Sequence, residues 1–285
     1  MRNFCARVEV TPAARVTIRA GGTPVDLPGM SAVLDQPIPS DVDGLERLSL
    51  AAIRRFAQVL HVTDPLREGL AVRCTTTVPR QVGLAGSSAV IIATMRALSH
   101  LWGARIGNFE LAEMALATEV QDLGIAAGPM DRVIQAYEQV MMLDLAPPRR
   151  EEQYVSLVAR SIPPLLVAWD PGGGRSSDLT HSDLRARWLR GDDKVVGRGV
   201  AALERADAEA FADLVDHNFD LRCRVTTPTE RDRQMVGVAR GVGAAAKLCG
   251  SGGAIVAAPR RGVSLTSIEV ALTEAGFLTC RPAIA

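Results

Sequence analysis

The sequence predicts a two-part α+β protein, and three observations carry that prediction. A chain of 285 residues has the length of about two ordinary domains. With 47% hydrophobic and 22% charged residues, it can offset the ordering entropy of a packed fold, which excludes a disordered chain. Strand-like and helix-like stretches are mixed along the chain, and two glycine loops stand far apart beside strands. Aromatics are only 4%, so Ala, Val, Leu and Ile must build the core. Gly and Pro, 25 and 16 residues, are too few and too irregular for a collagen or low-complexity chain.

Taken in order, residues 4–10 and 15–19 alternate apolar with polar around Thr11-Pro-Ala-Ala14, which reads as a β-hairpin. Residues 21–44 are rich in Gly, Pro and Asp and read as loop. Residues 45–60 place Leu45, Leu48, Ala52, Ile53, Phe56, Val59 and Leu60 at helical spacing. Residues 70–78 end in a β-branched run and read as a strand. A glycine-rich loop over 79–88 leads into an apolar helix over 88–101. A second helix spans 108–122 with Asn108 as its cap, and a third starts near Pro129, a residue suited to a first helical turn. Residues 140–145 read as a strand. The polar, proline-bearing stretch 146–153 reads as the linker. A strand over 165–169, a Gly/Ser loop over 171–177 and mostly helix over 181–239 follow. Strands over 241–247 and 254–258 flank the second glycine loop. A helix over 268–275 and a strand over 277–281 close the chain, which has no internal repeat.

Lys plus Arg and Asp plus Glu are both 32, so the overall basic excess usual in a nucleic-acid binder is absent. A small anionic ligand needs only a local site. The cysteines Cys5, Cys74, Cys223, Cys249 and Cys280 are scattered and odd in number, against a disulfide framework or zinc knuckle and in favour of reduced thiols in the cytoplasm. No signal-peptide block opens the sequence, and its apolar runs stop well short of the roughly 20 residues of a membrane helix.

The first loop reads Pro79-Arg-Gln-Val-Gly-Leu-Ala-Gly-Ser-Ser-Ala89. Free N–H groups and the macrodipole at a helix start favour an anion, and glycines let backbone approach phosphate closely. No Lys follows the glycines as in a Walker loop, and the spacing is not that of a dinucleotide fingerprint. By itself a tight turn with serine caps accounts for it equally well. The second loop, Gly250-Ser-Gly-Gly253 after Lys247, reads by itself as a glycine hairpin. Two such loops in one chain weaken both plain readings.

With these motifs the chain resembles the kinase superfamily of galactose, homoserine, mevalonate and phosphomevalonate kinases. The family's Pro-x-x-x-Gly-Leu-Gly-Ser-Ser-Ala loop matches residues 79–89 with one residue inserted, and its C-terminal motif matches Lys247-Leu-Cys-Gly-Ser-Gly-Gly-Ala254. The inserted form resembles the glucuronokinase branch. So do Asp131-Arg-Val133, Arg185-Ala-Arg-Trp-Leu-Arg-Gly-Asp192 and Asn218-Phe-Asp-Leu-Arg222.

The resemblance implies an N-terminal α/β domain, 1–155, holding the phosphate loop, and a C-terminal ferredoxin-like domain, 156–285. It implies an ATP- and Mg²⁺-dependent kinase acting on the anomeric hydroxyl of a uronic acid, D-glucuronate first. Alternatives are a galactose, arabinose or heptose 1-kinase, or a non-catalytic binder of nucleotide or sugar phosphate. Gly83, Leu84, Ala85, Gly86, Ser87, Ser88, Ala89, Gly250, Ser251, Gly252 and Gly253 are implied at the nucleotide. Ser88 (or Ser87) and Glu119 are implied at the metal, since Mg²⁺ needs few protein oxygens beside phosphate and water. Asp131 is implied as the residue that orients or deprotonates the attacking hydroxyl. The Gly/Pro turn 124–129 can bring Glu119 and Asp131 together. Without the resemblance each acid reads as a surface or capping residue, as Glu113 and Asp122 do. Arg132 suits a substrate carboxylate or phosphate but equally a surface ion pair, and Arg185 and Arg222 are further candidates. Neither nucleic acid nor membrane is expected as a partner. Family members usually begin with a strand and a substrate-contacting loop, resembling Gly-Asn-Pro-Ser-Asp in the glucuronokinase branch. This chain has no such segment, and an unpaired sheet edge is expected beside 4–10.

Overall fold

The computed structural model describes residues 3–39, 41–60, 69–157, 162–173 and 194–283. In the first part, β1 (Ala6–Ala13), β2 (Val16–Arg19), β3 (Val25–Leu27) and β4 (Gly69–Thr76) form one sheet in the order β1-β4-β2-β3. The expected hairpin is therefore corrected: β4 lies between β1 and β2, antiparallel to the first and parallel to the second. Alternation fixes which face of a strand is buried, not which strand lies beside it. The β1–β2 connection crosses the start of β4 at Gly69, where a Cβ would stand 2.1 Å from the Arg15 carbonyl carbon. β1 lies at the edge, with β4 its partner among the described residues.

The stretch 21–44, expected as loop, also holds β3 and the short helix α1 (Met30–Asp35). α2 (Gly44–Val59) buries Leu50, Ile53 and Phe56. Its first-turn Glu46, 1% exposed, accepts from the Ala20 and Gly22 N–H groups at 2.8 Å each, tying the helix start to the loop after β2. α3 (Gly86–Leu101) is central, packed on β1 and α2, with Val90, Ile91, Met95 and Leu98 fully covered. Each such side chain contributes about 1.5–3 kcal/mol relative to exposure.

α4 (Asn108–Ala117) is capped by Gly107, not Asn108, and its last turn widens into a π-helical turn, Thr118–Asp122. α5 (Met130–Tyr137) follows Pro129. Residues 146–153 are not the linker. They join β5 (Met141–Leu143) to its antiparallel partner β6 (Tyr154–Ser156), and Arg149 binds both oxygens of Glu113 on α4. Polar and proline-bearing sequence suits a hairpin connection as well as a linker.

The second part contains β7 (Leu166–Trp169), α6 (Lys194–Glu204), α7 (Ala208–Val225), α8 (Glu230–Gly241), β8 (Ala244–Leu248), β9 (Ala254–Pro259), α9 (Leu265–Glu274) and β10 (Leu278–Cys280). Its antiparallel sheet has the order β10-β7-β9-β8, the ferredoxin-like arrangement. The strand expected over 241–247 begins only at Ala244, because Gly241 still ends α8. Residues 174–177 of the expected Gly/Ser loop and 181–193 of the expected helical region lie outside the described residues.

There are two main cores. One is drawn from residues up to Tyr154, the other from Leu166 onward. The parts meet where Asn3 Nδ2 donates to the Arg281 carbonyl at 3.0 Å and Phe4 stands edge-on to Trp169. They meet again at the two glycine loops. Among the described residues no helix is long and apolar enough to cross a membrane.

Candidate active site

From the end of β4 the chain turns through Gln81, Gly83 and Ala85, all with positive φ, and enters α3 at Gly86, two residues earlier than expected. Ala85, at φ 59° and ψ 35°, precedes the helix without a side-chain cap. The first-turn N–H groups, 86–88, have no carbonyl four residues back to bind, so a 16-residue helix offers its donors and positive end to the cleft.

The second glycine loop is pressed onto the first, backbone on backbone. A Cβ on Gly83 would lie 2.5 Å from the Gly252 carbonyl oxygen, and one on Gly250 would lie 3.0 Å from the Gly83 oxygen. Asp232, 2% exposed near the start of α8, holds this loop. Its Oδ1 accepts from Gly253 N–H at 2.7 Å and its Oδ2 from Thr229 N–H at 3.1 Å. Sequence reasoning missed Asp232, although Thr229-Glu-Arg-Asp232 has capping-box spacing.

The hydroxyl next to the acids is that of Ser87. Ser87 Oγ donates to Glu119 Oε1 at 2.6 Å. Ser88 is fully buried and donates back to the Ala85 carbonyl at 3.0 Å. Glu119, fully buried, sits in the π-turn after α4. Its Oε2 takes a short charge-assisted bond from Arg132. Arg132 also donates to the Gly128 carbonyl at 2.8 Å and lies 3.4 Å from Asp131 Oδ2.

Arg132 ties the two acids together: its guanidinium meets three protein acceptors, and the residue is 5% exposed. Asp131, in the first turn of α5, keeps 42% of its side chain exposed and lines the cleft. Thus Ser87, Glu119, Arg132 and Asp131 are brought together from three elements.

Other expected residues divide. Gly83, Leu84, Ala85, Gly86, Gly250 and Ser251 line the cleft. Ala89, Gly252 and Gly253 are buried and do not. Arg185 lies outside the described residues. Arg222 reaches the cleft and donates to the Ser251 carbonyl at 3.2 Å. Beside it Lys247 Nζ donates to the Leu248 carbonyl, and burial holds its pKa below the ordinary lysine value. Burial pushes the Cys249 thiol up to about 11, leaving it protonated at neutral pH.

Among the described residues the cleft measures about 2100 Å³ and is lined from both parts. That exceeds the roughly 300–1,000 Å³ of an ordinary small-molecule pocket, so it has room for two reactants side by side. No group of three or more His, Cys, Asp or Glu side chains among the described residues could hold a metal alone. The Ser87–Glu119 pair nevertheless fits a dication that completes its shell with phosphate and water.

Residues 47–139 match the GHMP kinases N terminal domain. Glucuronokinase 1 of Arabidopsis thaliana is 28% identical over 298 residues, covering 96% of this chain and 82% of that protein. Probable glucuronokinase 2 of the same organism is 31% identical over 223 residues, covering 71% of this chain and 61% of the relative. Streptococcus pneumoniae phosphomevalonate kinase in complex with phosphomevalonate and AMPPNP superposes with a TM-score of 0.73 at 18% identity, over 97% of this chain and 90% of the other. A two-part α+β fold with these relatives makes the chain a phosphotransferase with an alcohol group as acceptor. Residues 47–139 carry a GHMP kinases N terminal domain, and over most of its length the chain is similar to glucuronokinases.

Proposed function

We propose that this kinase transfers the γ-phosphoryl of ATP, with Mg²⁺, to the anomeric hydroxyl of a sugar, and that the sugar is D-glucuronate. The observation that carries the reading is the Ser87–Glu119–Arg132–Asp131 constellation at the anion-binding start of α3. Likeness to two glucuronokinases supplies the acceptor. In this reading residues 1–155 form the phosphate-loop domain and 156–285 the second domain. Five free cysteines suit a cytoplasmic setting.

Glycines and small side chains let the triphosphate approach the N–H groups that open α3. Ser87 Oγ and Glu119 Oε1 would hold Mg²⁺, which neutralises charge on the phosphates. Asp131 accepts the proton of the attacking hydroxyl as the sugar oxygen bonds to the γ-phosphorus and the bond to the β-phosphate oxygen breaks. Arg132 keeps Glu119 and Asp131 in register. Asp232 keeps the second glycine loop against the first.

The test is to incubate the chain with MgATP and a panel of glucuronate, galacturonate, glucose, galactose and arabinose, following ADP release and the product by phosphorus NMR. Glucuronate 1-phosphate, formed one-to-one with ADP, is expected. Faster turnover of a neutral sugar, or phosphate on another hydroxyl, would overturn the glucuronate assignment.

A further inference from the structure

The cations lining the cleft do not share one situation. Arg132 is bound to Glu119, Arg149 to Glu113, Arg47 donates to the Pro39 and Val42 carbonyls, and Arg80 is exposed, so its charge keeps its water. Arg222 and Lys247 form no ion pair among the described residues. Arg222 comes from α7 and makes one hydrogen bond, through Nη2 to Ser251, while its Nε is buried without a partner. Lys247 comes from β8 and donates only to the backbone carbonyl of Leu248. Both side chains thus end on the 248–251 stretch, at the lip of the second glycine loop. The acid that Arg222 feels, Asp232, spends its two oxygens on the N–H groups of Gly253 and Thr229.

Burying a cation without a counter-charge is costly, and two close together add repulsion. Burial depresses the pKa of each, and the neighbouring Arg222 lowers that of Lys247 further. The second glycine loop does not need this arrangement, because Asp232 already holds it. A guanidinium that spends only Nη2 on the protein, beside an ammonium, suits the oxygens of a carboxylate or phosphate.

We propose that Arg222 and Lys247 together are the oxyanion site of the cleft, binding the carboxylate of the acceptor or a phosphate of the nucleotide. The pair is the specificity device of the same cleft, and it rests on the kinase reading only for the identity of those two ligands.

The test is calorimetry on the full chain at fixed ionic strength. D-glucuronate, D-glucose as its uncharged counterpart, and MgATP are titrated separately into the wild type, Arg222→Gln, Lys247→Met and Arg222→Lys. Glucuronate, MgATP or both should weaken about tenfold or more in Arg222→Gln and Lys247→Met, with partial recovery in Arg222→Lys and no change for glucose. Weakening of glucuronate alone assigns the site to the carboxylate, and weakening of MgATP alone to a phosphate. If the wild type takes up no glucuronate while MgATP still weakens, the glucuronate assignment falls and the oxyanion site stands. Without ligand both neutral variants should melt at or above the wild-type temperature, because the removed charge had no partner. Anion affinities unchanged in folded variants, no binding of either anion by the wild type, or lower melting of both ligand-free variants would each overturn the proposal.

Discussion

Ser87 and Ser88 are one position apart on α3, about 100° around its axis. That rotation turns one hydroxyl to Glu119 and the other back to the Ala85 carbonyl. Ser87→Ala should raise the Mg²⁺ concentration needed for half-maximal turnover several-fold with melting unchanged. Ser88→Ala should leave the Mg²⁺ requirement alone and cost about 1 kcal/mol of stability, the usual worth of one hydrogen bond. Magnesium titrations and thermal melts of both variants check this pair. Gly86 offers a second contrast: a Cβ there meets Val78 at an ordinary 3.7 Å, so the fold tolerates a side chain. Gly86→Val should remain folded and lose MgATP affinity, because the side chain occupies the phosphate's approach. Calorimetry showing wild-type affinity in the folded variant would remove this helix start from the nucleotide site.

Among the elements, Asp170 at the end of β7 binds Arg231 on α8 at 3.0 Å, and the Arg231 guanidinium lies over the Phe277 ring. The Arg231 bond holds the Asp170 carboxyl below its ordinary value of 3.8. A carboxyl depressed by folding stabilises the native state above its unfolded pKa, and the gain is lost as pH falls through the folded one. Asp170→Asn should therefore destabilise the protein at neutral pH and flatten its acid limb below that value, as urea unfolding across pH would read. The elements most legible in sequence were those with strong local periodicity: α2, α3, β4 and β9. Pairing was not local. Nothing in 4–19 says that β4 enters between β1 and β2, and the Pro-Pro stretch before β6 looks the same in a hairpin as in a linker. The π-turn that places Glu119 had no distinguishing residue pattern. In the site, both glycine loops stood out by residue type and spacing, whereas Glu119 and Asp131 stood out only through the family resemblance. Which serine faces Glu119, and that Arg132 is consumed there, depended on side-chain directions that only packing fixes.

At the scale of the molecule, the two parts are held in register by a contact that only glycine permits. Gly83 has φ +72°, and its Cβ position lies against the Gly252 carbonyl of the other part. Gly83→Ala adds left-handed strain of about 1–2 kcal/mol and must also push the loops apart. It should lower stability by at least that amount and weaken MgATP, whereas Gly86→Val lowers affinity alone. Equal stability of Gly83→Ala and wild type in urea would show that the loops do not bind each other. The cleft between the parts has the helix start at Gly86 on one wall and Asp131, its side chain 42% exposed, on another. The most direct measurement is the turnover of Asp131→Asn with MgATP and the acceptor the wild type uses fastest. If Asp131 receives the hydroxyl proton, kcat should fall about 10²-fold or more, with MgATP affinity kept. Near-normal turnover would contradict the account and place the proton acceptor elsewhere in the cleft.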